Sequence, residues 1–193
     1  MDLKKTVIGL TLLCLSGACL TGAAEARPSY KSVLKDWTRT DKVYVIENFE
    51  ARMIWNATYL SDDFRAARRE KLADLLEWND AELMKKVAED GEESREFDVF
   101  FLSIYAGSSK YYDIGKNDGQ WRVVLEPPSG PAVEAAELER IPVTQVERET
   151  YPYVDKWSQA YYVRFPKSLH AGDPFKIRMS GIPAHSELVW NAR

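Results

Sequence analysis

His170 and His185 are the only two histidines, so any acid–base or metal chemistry that needs an imidazole must use one of them. His185 precedes Ser186 and Glu187, residue types that could serve as nucleophile, base and acid, or as ligands of a metal. A nucleophilic serine, however, sits on a strained turn and is held by further groups. No G-x-S-x-G is present, and Ser180-Gly181 reads as a strand end rather than an elbow. Two histidines without ligand spacing do not make a zinc site. Both are expected on the surface, with no catalytic residue, no metal site and no cofactor.

The stretch Asp113-Ile114-Gly115-Lys116-Asn117-Asp118-Gly119 offers oxygen ligands and glycines. It departs from the calcium-loop pattern D-x-[DN]-x-[DN]-G, because Gly115 takes the third place and Gly119 the seventh. A tight turn explains Asn117-Asp118-Gly119 better, since Asn and Gly tolerate positive φ. Carboxylates gather at Glu77, Asp80, Glu82, Glu89, Asp90, Glu92 and Glu93. A catalytic pair must share a cleft, whereas these residues have the pattern of a solvated helix face.

Aromatic residues in loops carry more content. Six Trp and ten Tyr occur in 193 residues. Tyr111, Tyr112, Tyr151 and Trp157 fall in or beside turns, where an aromatic ring can stack on a sugar or seat a partner's side chain. They are the candidate binding residues. Tyr151 and Tyr153 could equally pack onto a sheet edge, and packing is the better reading of Tyr153 and Trp157.

The elements that position these groups follow from periodicity. From Val43 to Tyr59 apolar residues recur at alternate positions, with Met53, Trp55 and Ala57 on one side and Arg52, Asn56 and Thr58 on the other. That predicts two strands, or one sharply bent, broken near Glu47-Asn48. Ser61-Asp62-Asp63 starts a helix with an N-cap and negative charge, and Phe64, Leu72, Leu75 and Leu76 share its apolar face. Asp80 opens a second helix, whose face holds Leu83, Met84, Val87 and Ala88 and which Gly91 closes. Phe97 to Tyr105 is apolar on both faces and is expected to be a central strand covered twice. Trp121 to Leu125, a weaker run at 132–141, Tyr161 to Phe165, Phe175 to Met179 and Glu187 to Trp190 complete the strands, separated by Gly/Pro turns.

The first 26 residues read as a bacterial export signal. Lys4 and Lys5 precede the apolar run Val7 to Leu15, which is far shorter than the ~20 residues that span a bilayer. Two cleavage schemes fit. Leu15-Ser16-Gly17-Ala18-Cys19 resembles a lipobox, cut after Ala18, with Cys19 lipidated. Alternatively, signal peptidase cuts near residues 23–26. Both cysteines, Cys14 and Cys19, lie here, so the mature domain has neither a disulfide nor a thiolate. Net charge is −4 with both signs interleaved, which offers nucleic acid no basic stripe.

Residues 27–193 are therefore expected to form one mainly β domain, an antiparallel immunoglobulin-like β-sandwich with a helical insertion at about residues 61–90. The arrangement resembles that of bacterial cell-envelope proteins with immunoglobulin-like sandwiches, a likeness of architecture that fixes no function. The expected function is a non-enzymatic envelope domain, periplasmic or membrane-anchored through Cys19, that binds another protein or a cell-wall component. A carbohydrate-binding module using the loop aromatics is the alternative, and an envelope hydrolase built on the acidic helices is the third reading.

Overall fold

The computed structural model describes residues 27–45, 51–107, 114, 121–182 and 184–192. The expectations for residues 1–26 with Cys19, for Tyr111 and Tyr112, and for most of the Asp113–Gly119 loop lie outside the described residues.

Helix α1 (Tyr30–Trp37) starts at Ser29, whose hydroxyl accepts from the Ser32 amide at 3.3 Å. It leads into β1 (Thr38–Tyr44), which pairs antiparallel with β2 (Ala51–Tyr59). The long alternating run is thus two strands. β1 begins before the alternation does, because this outer strand buries no side chain fully and its polar residues carry no apolar period.

Helix α2 (Asp62–Leu76) begins where expected. The Ser61 hydroxyl accepts from the Phe64 amide at 3.2 Å, and Asp62 and Asp63 lie at the positive end of the helix. Glu77, at φ 52°, closes it in the left-handed region. Helix α3 (Asp80–Glu96) opens with a reciprocal capping box between Asn79 and Glu82. Two expectations need correcting here. Gly91 does not close α3, which runs on to Glu96. A helical glycine costs about 1 kcal/mol, and ion pairs from Asp90 and Glu93 hold the helix on either side of it. Nor are Leu75 and Leu76 buried: each is 45% exposed, since the apolar cluster under α2 takes Phe64 and Ala67 but neither leucine of the last turn.

The remaining elements are β3 (Phe97–Ala106), β4 (Trp121–Glu126), β5 (Val133–Glu134), β6 (Glu137–Ile141), α4 (Gln145–Thr150), β7 (Gln159–Pro166), β8 (Phe175–Gly181) and β9 (His185–Trp190). The weak run at 132–141 is two short strands that join different sheets. Helix α4 escaped the sequence reading, although Thr144 and Glu147 form its capping box.

With 41% strand against 31% helix, the fold is mainly β. One antiparallel sheet has the order β1-β2-β3-β7-β6 and the other β5-β4-β8-β9, an arrangement compatible with a β-sandwich. Met53, Trp55, Phe100, Leu102 and Val163 from the first sheet share one apolar cluster with Val123, Leu125, Ile177, Met179 and Trp190 from the second. The opposite side of β3 supplies Val99 and Phe101 to a second cluster with Val33, Leu34, Phe64, Tyr151 and Val154. β3 is therefore buried on both faces, as its sequence demands.

The sheets are stitched along one side. Trp55 Nε1 donates to Ser186 Oγ at 2.8 Å, and Ser186 Oγ donates in turn to Asp41. Trp190 Nε1 donates to the Trp37 carbonyl at 3.0 Å, and Arg39 Nε to the Val189 carbonyl at 2.9 Å.

Helix α3 buries no side chain. Charge holds it instead. Arg65, 2% exposed, reaches Glu93 at 2.7 Å and Asp90 at 3.2 Å. Arg69 also pairs with Asp90, and Arg164 of β7 meets Glu93 at 2.9 Å.

Candidate functional site

Strand β9 alternates, so Ser186 faces inward while His185 and Glu187 face solvent. Its hydroxyl is committed to Trp55 and Asp41, and the three residues do not converge. His170 lies in an exposed turn, where its amide donates to Asp173 at 2.9 Å. It lines a hollow of about 440 Å³ with Tyr59, Asp62, Asp63 and Lys167. Behind this hollow the buried Asp98 accepts from Lys167, Tyr59 and the amides of Ser168 and Leu169. Burial, with Asp98 beside it, pushes the Tyr59 phenol far above the usual tyrosine range, so it acts as a hydrogen-bond donor and not as a base. Among the described residues no group of three or more His, Cys, Asp or Glu could hold a metal ion. Of the acidic helix residues, Asp90 and Glu93 are engaged by arginines.

The aromatic candidates separate by depth. Tyr151 is 1% exposed and stacks on Phe101 in the second cluster, so its ring presents no face to a ligand. Tyr153 packs, as expected: its hydroxyl lies 2.6 Å from that of Thr58, and its ring neighbours those of Phe101 and Tyr151. Trp157 does the opposite of packing. It is 62% exposed.

The chain is built to present Trp157. Tyr151 and Val154 are buried on one side of it and Ala160 on the other. Between these anchors Asp155 Oδ1 accepts from the Trp157 and Ser158 amides, each at 2.8 Å, and from Ser158 Oγ at 2.9 Å. A short acid bonding forward to its own backbone fixes a tight turn. The Trp157 ring also carries the Lys156 ammonium 4.8 Å from its centroid.

Trp157 shares a hollow of about 410 Å³ with Ile54, Tyr105 and Asp155. Ile54 and Tyr105 pair across β2 and β3. They occupy the face that carries Thr58 and Phe101 farther along, but belong to neither apolar cluster. The helical layer covers one end of this face and leaves the other end for Trp157. Ile54, Tyr105 and Asp155 were not among the sequence candidates. The Asp155-x-x-Ser158 turn was legible in principle, but the pairing of Ile54 with Tyr105 needs the strand register. A flat ring, a half-buried tyrosine and a preset turn can bind a ring-shaped or apolar group, and nothing in this hollow supplies a nucleophile or an acid–base pair.

The site and fold define a mainly β domain of two antiparallel sheets with an aromatic surface. No family model, curated protein or solved structure matches the chain.

Proposed function

We propose that this chain is an exported, non-enzymatic domain of the bacterial cell envelope that binds a cell-wall component or another envelope protein, and that the Trp157 turn is its contact surface. One observation carries this reading: a tryptophan left 62% exposed on a turn whose conformation is fixed by three hydrogen bonds. Burying such a ring in a complex costs little ordering, because the turn is already set. The exposed Trp157 beside Tyr105 favours a sugar ring as the group bound, and so a carbohydrate-binding module is the second reading. The export signal supports the location, and the lipobox-like Leu15–Cys19 supports a lipid anchor at Cys19. The two-sheet architecture supports the finer reading of an immunoglobulin-like sandwich with α2 and α3 as its helical insertion.

The test is co-sedimentation of the mature protein with isolated cell-wall polysaccharide, alongside a photo-crosslinker placed at position 157 in intact cells. The expected result is retention that Trp157→Ala abolishes without lowering thermal stability. A discrete protein adduct at position 157 selects a protein partner. Equal retention of Trp157→Ala, with no adduct, rejects the surface. Intact-mass analysis of protein from its native membrane tests the anchor: lipid mass at Cys19 is expected, and an unmodified N-terminus near residues 23–26 rejects it.

A further inference from the structure

The Asp155–Ser158 turn has a second side. There, at the free edge of the first sheet beside β6, lies a hollow of about 470 Å³ that Arg140, Arg148 and Lys156 line together with Ser158 and Gln159. No acidic residue lines it. The three cations come from three separate segments: β6, α4 and the turn itself. All three are exposed, and none forms an ion pair among the described residues.

The chain as a whole carries a net charge of −4, and several of its other arginines, Arg65, Arg69, Arg122, Arg164 and Arg178, are paired with carboxylates. The acids nearest in sequence to the three cations are engaged with other groups. Glu139 binds Arg164 at 2.8 Å, Glu147 caps α4 through Thr144, Glu149 accepts from Gln145 at 3.0 Å, and Asp155 accepts from its own turn. Three like charges held around one hollow repel each other, and an anion seated among them relieves that repulsion.

Lys156 joins the two sides, since it lines the basic hollow while its ammonium sits over the Trp157 ring. We propose that the ligand is an anionic glycan, with a sugar ring on Trp157 and a carboxylate or phosphate among Arg140, Arg148 and Lys156. This inference rests on Trp157 as the contact surface and adds the charge of what it binds.

Titration of the isotope-labelled domain with three probes tests it: an oligogalacturonate for carboxylate, a phosphomannan fragment for phosphate, and maltohexaose as the neutral control. An anionic probe is expected to bind at least about tenfold more tightly than maltohexaose, shifting the amide signals of residues 140, 148 and 156–158. Raising salt from about 0.05 M to about 0.5 M should weaken that binding and leave the neutral sugar unaffected. Arg140→Gln, Arg148→Gln and Lys156→Gln should each weaken the anionic probe about two- to fivefold, the range of an exposed ion pair, with unchanged circular dichroism. Preference for oligogalacturonate identifies a carboxylate, and preference for phosphomannan a phosphate. Equal, salt-insensitive binding of maltohexaose through Trp157 overturns the anion subsite while the Trp157 surface stands. Failure of both anionic probes to bind also overturns it. If anionic binding survives Trp157→Ala at full strength, the Trp157 surface falls.

Discussion

The ring of Tyr151 lies flat on that of Phe101, with centroids 3.6 Å apart and planes 9° from parallel. Phe101 belongs to the central strand and Tyr151 follows α4, so this pair seals the helical layer onto the sheet. The phenol is buried beside Tyr162 without a hydrogen bond of good geometry. Burial, with Tyr162 adding to it, holds its pKa well above the ordinary tyrosine range, and the group stays neutral. Tyr151→Ala should cost about 3–5 kcal/mol, as for other large buried rings. Tyr151→Phe keeps the stack and removes an unsatisfied hydroxyl, so it should change stability by less than about 1 kcal/mol, or raise it. Urea denaturation measures both, and a large loss in the Phe variant would show that the hydroxyl is bonded after all.

Asp98 anchors the turn after β7. Its carboxylate is fully buried and accepts from Lys167 Nζ at 2.8 Å, the Ser168 amide at 2.7 Å, the Leu169 amide at 2.8 Å and the Tyr59 hydroxyl at 3.1 Å. Lys167 itself is 39% exposed, so water screens its share, and the two amides carry most of the effect. Asp98→Ala leaves them without an acceptor and should cost about 2–4 kcal/mol. Hydrogen exchange at Ser168 and Leu169 should quicken selectively. Unchanged protection at both amides contradicts this role.

What the sequence made legible follows from how strongly each element is buried. β3 is readable because both of its faces are apolar, and the start of α2 because Ser61 precedes negative charge; the cap of α3 is Asn79, one residue before the Asp80 that the sequence offers as its opening. Outer elements were harder. β1 buries nothing fully, so the polar residues of its first half carry no period that would mark a strand. Leu75 and Leu76 matched a helical stripe, yet periodicity cannot say where the neighbouring layer ends. Asp98 stands between Phe97 and Val99 and reads as an ordinary charged residue until the strand is seen to be covered on that side. At the binding surface, Trp157 was visible as an aromatic near a turn, but its exposure depends on Tyr151, Val154 and Ala160 being buried around it. Arg140, Arg148 and Lys156 come together only through the packing of β6, α4 and the turn, and no spacing in the chain announces them.

The contact of α3 with the domain should be sensitive to acid through Glu93. Burial pushes its carboxyl up, but hydrogen bonds and charge from Arg65 and Arg164 outweigh that and leave it below the usual glutamate value of 4.5. The folded value is thus lower than the unfolded one. The stabilisation is fully present above about pH 4.5 and is lost as pH falls through the folded value, because protonation then favours the unfolded chain. Since α3 buries no side chain fully, little apolar burial is there to offset the lost pairs. Glu93→Gln should lower stability at neutral pH by about 1–2 kcal/mol, a charged hydrogen bond discounted for partial exposure. It should also flatten the decline below about pH 4.5. Urea midpoints measured across that range for both proteins, with hydrogen exchange reporting on α3, make the comparison. Parallel pH profiles for wild type and variant would place the acid sensitivity in another carboxylate.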